Sequence, residues 1–364
     1  MRLSGCSGPT SDELKETRMP ERSLSAPPPQ SKPTLQDAAH FSSCLAAFLC
    51  LIALSTCALA QEAAPTPSRP DDAYTIRANV DLVVLRATAQ DHKNILVSGL
   101  NQEDFQVYED GVRQTIKYFS HEDVPVTVGL VVDNSGSMKS KRHDVIAAAL
   151  AFARSSNPQD QMFVVNFNEN VSFGLPGNIA FTDQVTQLQV ALSRVAADGE
   201  TALYDAVAIA LEHLKKGDRD KKVLIVVSDG GDNASKHKLT EIMALVGQPG
   251  VIIYTIGIFD DEDADRNPGV LKRLAKQTGG ESFLPESLAA VTPICERIAR
   301  DIRNQYTIAY VPTNRKRDGT FRVIQVKASA PGYGRLSVRS RTGYFAPSAL
   351  EPDAAKVIDH GTHD

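Results

Sequence analysis

Two kinds of hydrophobic pattern alternate along the chain, and the places where one gives way to the other divide it. From Tyr74 to Glu122, TIRANVDLVVLRATAQD alternates apolar and polar residues around Val80, Leu82, Val84 and Leu85, which predicts half-buried strands. FQVYE and VRQTIKYF follow, joined by the hairpin-turn dipeptide Asp110-Gly111. From Pro125 to about Arg303 the strands become unbroken apolar runs, suited to burial on both faces, and helices separate them. The runs are VTVGLVVD from Val126, QMFVVNF (161–167), KVLIVVSDGGD (222–232) and GVIIYTIGI (250–258), with ESFLP as an edge strand. Helices are expected over HDVIAAALAFAR (143–154), over ALYDAVAIALEHLKK before Gly217, over LKRLAKQTGG and over SLAAVTPICERIARDIR. Thr182 is the expected N-cap of a further helix, DQVTQLQVALSRVAA, with apolar positions at Val185, Leu188, Leu192 and Val195. After Asn304 the period of two returns in QYTIAYVP, TFRVIQVKAS and RLSVRSRTGYF, with Asp318-Gly319 and Pro331-Gly332 as turns.

Buried strands alternating with helices argue for an α/β fold: a doubly wound, mostly parallel sheet flanked by helices over 124–303. The β-rich flanks, 74–123 and 304–347, each hold too few strands for a robust core. They are expected to form one β-sandwich-like region into which the α/β domain is inserted, since domain termini commonly lie close together.

Composition changes this picture little in the middle and more at the start. Apolar residues make up 42%, charged residues 23%, and the formal net charge is -5, so nothing indicates a nucleic-acid surface. Residues 1–40 are polar, rich in Pro and Ser, and are expected to be disordered. Phe41 to Ala60 carries no charge and ends Ala58-Leu59-Ala60, the form of a secretory signal peptide cleaved before Gln61, which makes the chain exported. Met19 offers a later start. An uncleaved membrane anchor is the competing reading of the same apolar stretch, and lipidation at Cys57 ranks third. Residues 61–73 read as a linker and 348–364 as a disordered tail. Four of the five cysteines lie in the leader. Cys295 alone remains beyond it, so a cleaved chain has no internal disulfide and no thiolate metal site.

The candidate chemistry sits where buried strands end. Asp133, Ser135 and Ser137 alternate just past the first apolar run, Thr201 opens a helix, and Asp229 follows another run. In parallel sheets ligands bind at the carboxyl ends of the strands, so three loops bring hydroxyls and carboxylates to one edge. Oxygen donors with few charges suit a hard divalent cation such as Mg²⁺.

Asp-Asn-Ser-Gly-Ser-Met at 133–138, Asp-Gly-Glu-Thr-Ala-Leu-Tyr-Asp-Ala at 198–206 and Val-Val-Ser-Asp-Gly at 226–230 resemble the three parts of the metal-ion-dependent adhesion site of von Willebrand factor type A domains. The resemblance spans about 125–303 and implies a Rossmann-like fold. It also implies that Ser135, Ser137 and Thr201 contact the ion while Asp133 and Asp229 act mainly through bound waters. The implied cofactor is Mg²⁺, with Mn²⁺ or Ca²⁺ as alternatives. The wider chain resembles bacterial proteins with a VWFA-related domain, through SGLNQEDFQVYEDG before the domain and RSRTGYFAP after it.

Other features have plainer readings. The run Asp260 to Asp265 lacks the turn glycine of a calcium loop and has Lys272 where that loop needs Glu, so a solvated acidic loop is expected. His143, His213 and His237 are far apart, with His213 expected on a helix surface, and Cys295 is expected to be packing. Lys139, Lys141 and Arg142 are expected to be solvated. The reading that results is a non-enzymatic, exported protein-binding module whose metal docks an Asp or Glu of a protein partner. No nucleic acid is expected, and membrane attachment only through an uncleaved or lipidated leader. A metal-assisted hydrolase lacks a legible general base, and a purely structural metal site is the remaining alternative.

Overall fold

A computed structural model describes residues 82–259 and 266–348, all within one compact unit. The expected signal segment, linker, acidic loop and tail beyond Ser348 lie outside the described residues. The N-terminal flank supplies β1 (Val83–Gln90), β2 (Phe105–Glu109), β3 (Val112–Gln114) and β4 (Ile116–Ser120). The middle supplies β5 (Val126–Asp133), α1 (Arg142–Ser155), β6 (Gln161–Phe167), β7 (Val171–Phe173), α2 (Val185–Leu192), α3 (Leu203–Leu214) and β8 (Lys221–Ser228). It continues through α4 (Leu239–Val246), β9 (Val251–Gly257), α5 (Pro268–Thr278), β10 (Ser282–Phe283) and α6 (Val291–Arg303). The C-terminal flank adds β11 (Tyr306–Tyr310), β12 (Phe321–Ala330), β13 (Gly334–Arg339) and β14 (Gly343–Phe345).

The middle strands form one sheet in the order β10-β9-β8-β5-β6-β7, parallel except for the edge strand β7. All eight residues of β5 are buried, because β6 and β8 cover its edges and helices cover its faces. Leu130 and Val132 share one face with Ile225 and Val227, against Val145, Ala148 and Phe152 of α1 and Cys295 of α6. Each Val, Leu, Ile or Phe side chain taken from water in this layer stabilises the fold by about 1.5–3 kcal/mol. The chain runs from β5 to β6 on one side and returns to β8 on the other. The crevice between the carboxyl ends of β5 and β8 is therefore the topological switch point, where open α/β sheets bind ligands.

The two flanks join in a second, antiparallel sheet, β3-β2-β12-β13-β1-β11-β4, with β14 beside β12. Both flanks contribute to every part of it: β1 and β4 pair with β11, and β2 pairs with β12. Phe105 on β2 lies 4.9 Å from Tyr306 and 5.5 Å from Phe119 between ring centroids, although four strand steps separate β2 from β11 along the sheet. The sheet thus curls over its own core, as a sandwich does. Asp110 and Gly111 turn β2 into β3 with φ of +48° and +80°, the left-handed pair that a two-residue hairpin requires. Buried Glu109 accepts hydrogen bonds from the hydroxyls of Tyr310 (2.7 Å) and Tyr344 (3.0 Å).

A polar seam ties the two sheets together. Asp301 of α6, buried, accepts from Tyr254 Oη of β9 at 2.8 Å and from Arg339 Nη2 of β13 at 2.6 Å. Arg339 also reaches Glu281 at 3.2 Å, and Gln305 Nε2 donates to Tyr254 Oη at 3.0 Å. Burial and the Asp301 carboxylate push the Tyr254 hydroxyl well above its ordinary pKa.

Several local expectations need correction. Thr182 does not cap a helix: its N–H and carbonyl both bond to Met162 (2.8 Å each) in an antiparallel bridge, and α2 starts three residues later. That helix stops at Leu192, before Val195, whose carbonyl accepts from Arg142. The pattern reading also passes over the eight-residue helix α4 and the three-residue strand β7. His213 is not a surface residue. It is buried among the rings of Phe163, Phe173 and Phe181, with Nε2 2.9 Å from Ala180 O. No helix among the described residues is long and apolar enough to cross a membrane.

Candidate functional site

The site is built on hydrogen bonds that cross the β5/β8 crevice. Asp133, the last residue of β5, is 2% exposed and receives Ser135 N at Oδ1 (2.8 Å) and Ser228 Oγ at Oδ2 (2.6 Å). Ser135 Oγ lies 3.1 Å from Ser137 Oγ, and Ser137 Oγ donates to Asp229 Oδ2 at 2.6 Å. Gly231 N fixes the other oxygen of Asp229 at 2.9 Å. Asp133, Ser135, Ser137 and Asp229 are therefore linked in one hydrogen-bonded chain, drawn from two strand ends.

Thr201 comes from a third loop. That loop is tied to the first by Gly136 N to Gly199 O (3.0 Å) and by Asp198 N to Asn134 O (3.0 Å). Gly199 has φ of +83°, the left-handed conformation that favours glycine. Thr201, 7% exposed, is held by its main chain: Asn233 Oδ1 accepts its N–H at 2.8 Å, and its carbonyl accepts from Asn233 N at 3.0 Å. The loop after β8 thus grips both Asp229 and the Thr201 segment. It also caps α3, since Asp232 Oδ1 accepts from Tyr204 N and Ser235 Oγ from Asp205 N, each at 3.1 Å.

Sequence reasoning passed over Ser228, Asn233 and Asn168. Ser228 orients Asp133 from the neighbouring strand, and its only signal was its place directly before Asp229. Asn168 Nδ2 donates to Asp198 O at 3.0 Å, and its carbonyl accepts Ala202 N at 2.8 Å, so it braces the Thr201 loop from the end of β6. The basic residues nearby are not solvated as expected. Lys141 is 1% exposed and donates to Ile258 O at 3.3 Å, and Arg142 donates to Asn134 Oδ1 at 3.3 Å and to Val195 O. They hold neighbouring loops in place. Lys139 alone of the three is exposed.

Burial pushes the Asp133 carboxyl up to about 6, with the Asp229 charge adding to it and the Ser135 and Ser228 hydrogen bonds opposing it. A positive ion between the two carboxylates would offset both costs. The donor set also fits a hard cation in kind: hydroxyl and carboxylate oxygens. Among the described residues no group of three or more His, Cys, Asp or Glu side chains gathers in metal-binding fashion, so hydroxyls must carry any such site. His237 is engaged with Asp205 (Nδ1 to Oδ1, 2.6 Å), and burial raises the Cys295 thiol to about 12, so it stays protonated.

The von Willebrand factor type A domain family model matches residues 128–231, a span that starts inside β5 and ends just past Asp229. No curated protein matches the chain. Among solved structures, a von Willebrand factor type A protein from Catenulispora acidiphila is 12% identical with a TM-score of 0.45, covering 73% of this chain and 75% of that one. The vWF domain of the type V pili tip protein Mfa5 from Porphyromonas gingivalis is 14% identical with a TM-score of 0.41, covering 50% and 97%. The conserved hypothetical protein BatB from Bacteroides thetaiotaomicron is 16% identical with a TM-score of 0.39, covering 48% and 98%. Over residues 128–231, which hold central strands and the switch-point loops of the parallel sheet, this chain thus matches the von Willebrand factor type A domain family.

Proposed function

We propose that the protein is an exported, non-enzymatic protein-binding module that docks its partner through a divalent cation. In this reading Ser135, Ser137 and Thr201 hold Mg²⁺ directly, while Asp133 and Asp229 act through bound water. Three neutral hydroxyls leave the ion under-neutralised, and a partner Asp or Glu completes its shell. The observation that carries the proposal is the pair of hydrogen bonds across the crevice, Ser137 to Asp229 and Ser228 to Asp133, each 2.6 Å. They gather hydroxyls and carboxylates of two strand ends at one crevice, which supports this reading. Export rests on the uncharged Phe41–Ala60 segment and its Ala-x-Ala end.

Calorimetric titration of EDTA-stripped protein with Mg²⁺ tests the metal. Saturable binding is expected, with Asp229→Ala weakening it at least 100-fold and Ser135→Ala about 10-fold. Absence of saturable binding would refute the metal site. Partner capture from the native envelope, lost in EDTA and restored by Mg²⁺, tests the docking step. Capture that is indifferent to EDTA would leave the metal without a docking role.

A further inference from the structure

At the opposite end of the parallel sheet from Asp133 and Asp229 lies a cavity of about 920 Å³. It opens where β8 and β9 begin, about 23 Å from the strand-end loops at ~3.3 Å per residue. Its walls come from β1, the starts of β8 and β9, the loop between β11 and β12, and the turn leading into β14. Three basic side chains on it are withdrawn from water: Lys221 and Arg341 are buried and Arg86 half-buried. Lys222, Arg315 and Lys316 add further positive charge nearer solvent. Asp220 is the one acidic residue among the described residues of the lining.

The hydrogen bonds of the withdrawn cations go to neutral oxygens. Lys221 Nζ donates to Ile302 O, Arg341 to Gly343 O (2.8 Å) and Gly247 O (2.7 Å), and Arg86 to Thr307 Oγ1. Neutral acceptors satisfy donors but do not balance charge. Burial lowers the affinity of all three for their protons; the Asp301 and Asp123 carboxylates offset this partly for Lys221 and Asp220 partly for Arg86, whereas no carboxylate does so for Arg341. A folded chain seldom places several desolvated cations on one cavity unless an anion meets them there. One part of the remaining wall is apolar and open: Leu82, Val84 and Phe345 are 50%, 42% and 49% exposed. Exposed apolar surface beside such a cavity marks a ligand with an apolar part. The volume is that of a small-molecule site.

We infer that this cavity binds an amphipathic organic anion, with a carboxylate or phosphate head on Arg86, Lys221 and Arg341 and an apolar body along Leu82, Val84 and Phe345. The head is assigned to the cations withdrawn from water and the body to the apolar side chains that remain exposed. The site is separate from the strand-end oxygens and uses none of them.

The test uses the full chain in EDTA, so that its outcome is independent of the proposed metal site. 1-Anilinonaphthalene-8-sulfonate, an aromatic body with one anionic group, is the fluorescent probe and dodecyl phosphate the competitor. One saturable probe site is expected, displaced by dodecyl phosphate at least 10-fold more effectively than by dodecanol or by inorganic phosphate. The double variant Arg315→Glu/Lys316→Glu changes only exposed loop residues and should weaken both ligands about 10-fold with an unchanged thermal midpoint. Val84→Trp should block the apolar wall to similar effect. Failure to saturate would overturn the proposal. Equal displacement by dodecanol would reduce the cavity to an apolar patch, and equal displacement by inorganic phosphate to a simple anion site; either result overturns it. So would affinity unchanged in both variants.

Discussion

The two ends of the parallel sheet carry opposite chemistry. At the carboxyl ends, Asp133 and Asp229 gather with serine hydroxyls in a hydrogen-bonded chain of short links, 2.6 to 3.1 Å. At the amino ends, Lys221 and Arg341 stand buried with only neutral oxygens to bond. The first cluster lies on loops that follow strands of a single sheet, so parallel strand geometry is enough to assemble it. The second needs the antiparallel region as its other wall, because Arg86 and Arg341 come from the flanks. One end therefore belongs to the α/β domain alone, and the other exists only because the two sheets are joined.

That difference is broken most directly at the seam. Asp301→Ala removes the carboxylate shared by Tyr254 and Arg339, leaving a buried phenol and a largely buried guanidinium short of a partner. Breaking a buried pair from one side costs about 3–5 kcal/mol. Glu281 still reaches Arg339 at 3.2 Å, so the lower end of that range is expected. Denaturant unfolding should show the loss, and the transition should separate into two, with the Mg²⁺ response persisting in the more stable one. A single transition with unchanged midpoint would show that the seam does not couple the sheets.

The next largest effect sharpens the charge contrast at the amino end. Burial depresses Lys221 to about 7 from an ordinary value near 10.5. Between those two pH values the unfolded chain holds a proton that the folded chain lacks, so the folded state gains stability as pH rises from about 7 to 10.5. Below pH 7 both states hold it, and the cost of burying the charge is then at its full value. Lys221→Met should therefore raise stability by a few kcal/mol at pH 6.5, with the advantage shrinking toward pH 10.5. Equal stability of the two proteins at all pH values would mean that the ammonium is fully compensated where it lies.

Legibility in the sequence follows the same divide. The run from Val126 to Val132 declares a strand buried on both faces because every position is apolar or small, and the oxygens of Asp133, Ser135 and Ser137 follow it directly. The Asp110-Gly111 turn is legible because two consecutive left-handed residues demand that chemistry. Thr182 misleads, since a threonine before an amphipathic run is a helix-cap signal that a bridge to Met162 overrides. His213 misleads for a related reason: its partners, Phe163, Phe173 and Phe181, come from three other segments. The basic cavity is not legible at all. Arg86, Lys221 and Arg341 share no local pattern: β1 and the segment after β13 lie in the antiparallel sheet, Lys221 opens β8 of the parallel one, and only the joining of the two sheets brings them to one cavity.

Ser228 offers the smallest and most discriminating perturbation at the carboxyl end. Its hydroxyl donates to Asp133 Oδ2 across the β5/β8 boundary and accepts from Gly230 N at 2.9 Å. Ser228→Ala removes one charge-assisted hydrogen bond from a buried carboxylate and costs about 1–3 kcal/mol. Ser135 N still holds the other oxygen at 2.8 Å, so Asp133 keeps one anchor but loses the one that comes from the strand bearing Asp229. Mg²⁺ affinity should fall about 10-fold, a second-sphere effect of the size that misoriented metal-site carboxylates produce. The cavity at the other end of the sheet should bind its anionic probe unchanged. If Mg²⁺ affinity also stays unchanged, Asp133 is oriented within its own loop and the cross-strand bond serves stability alone. If both ends weaken together, the parallel sheet couples them, and they cannot be treated as two independent sites.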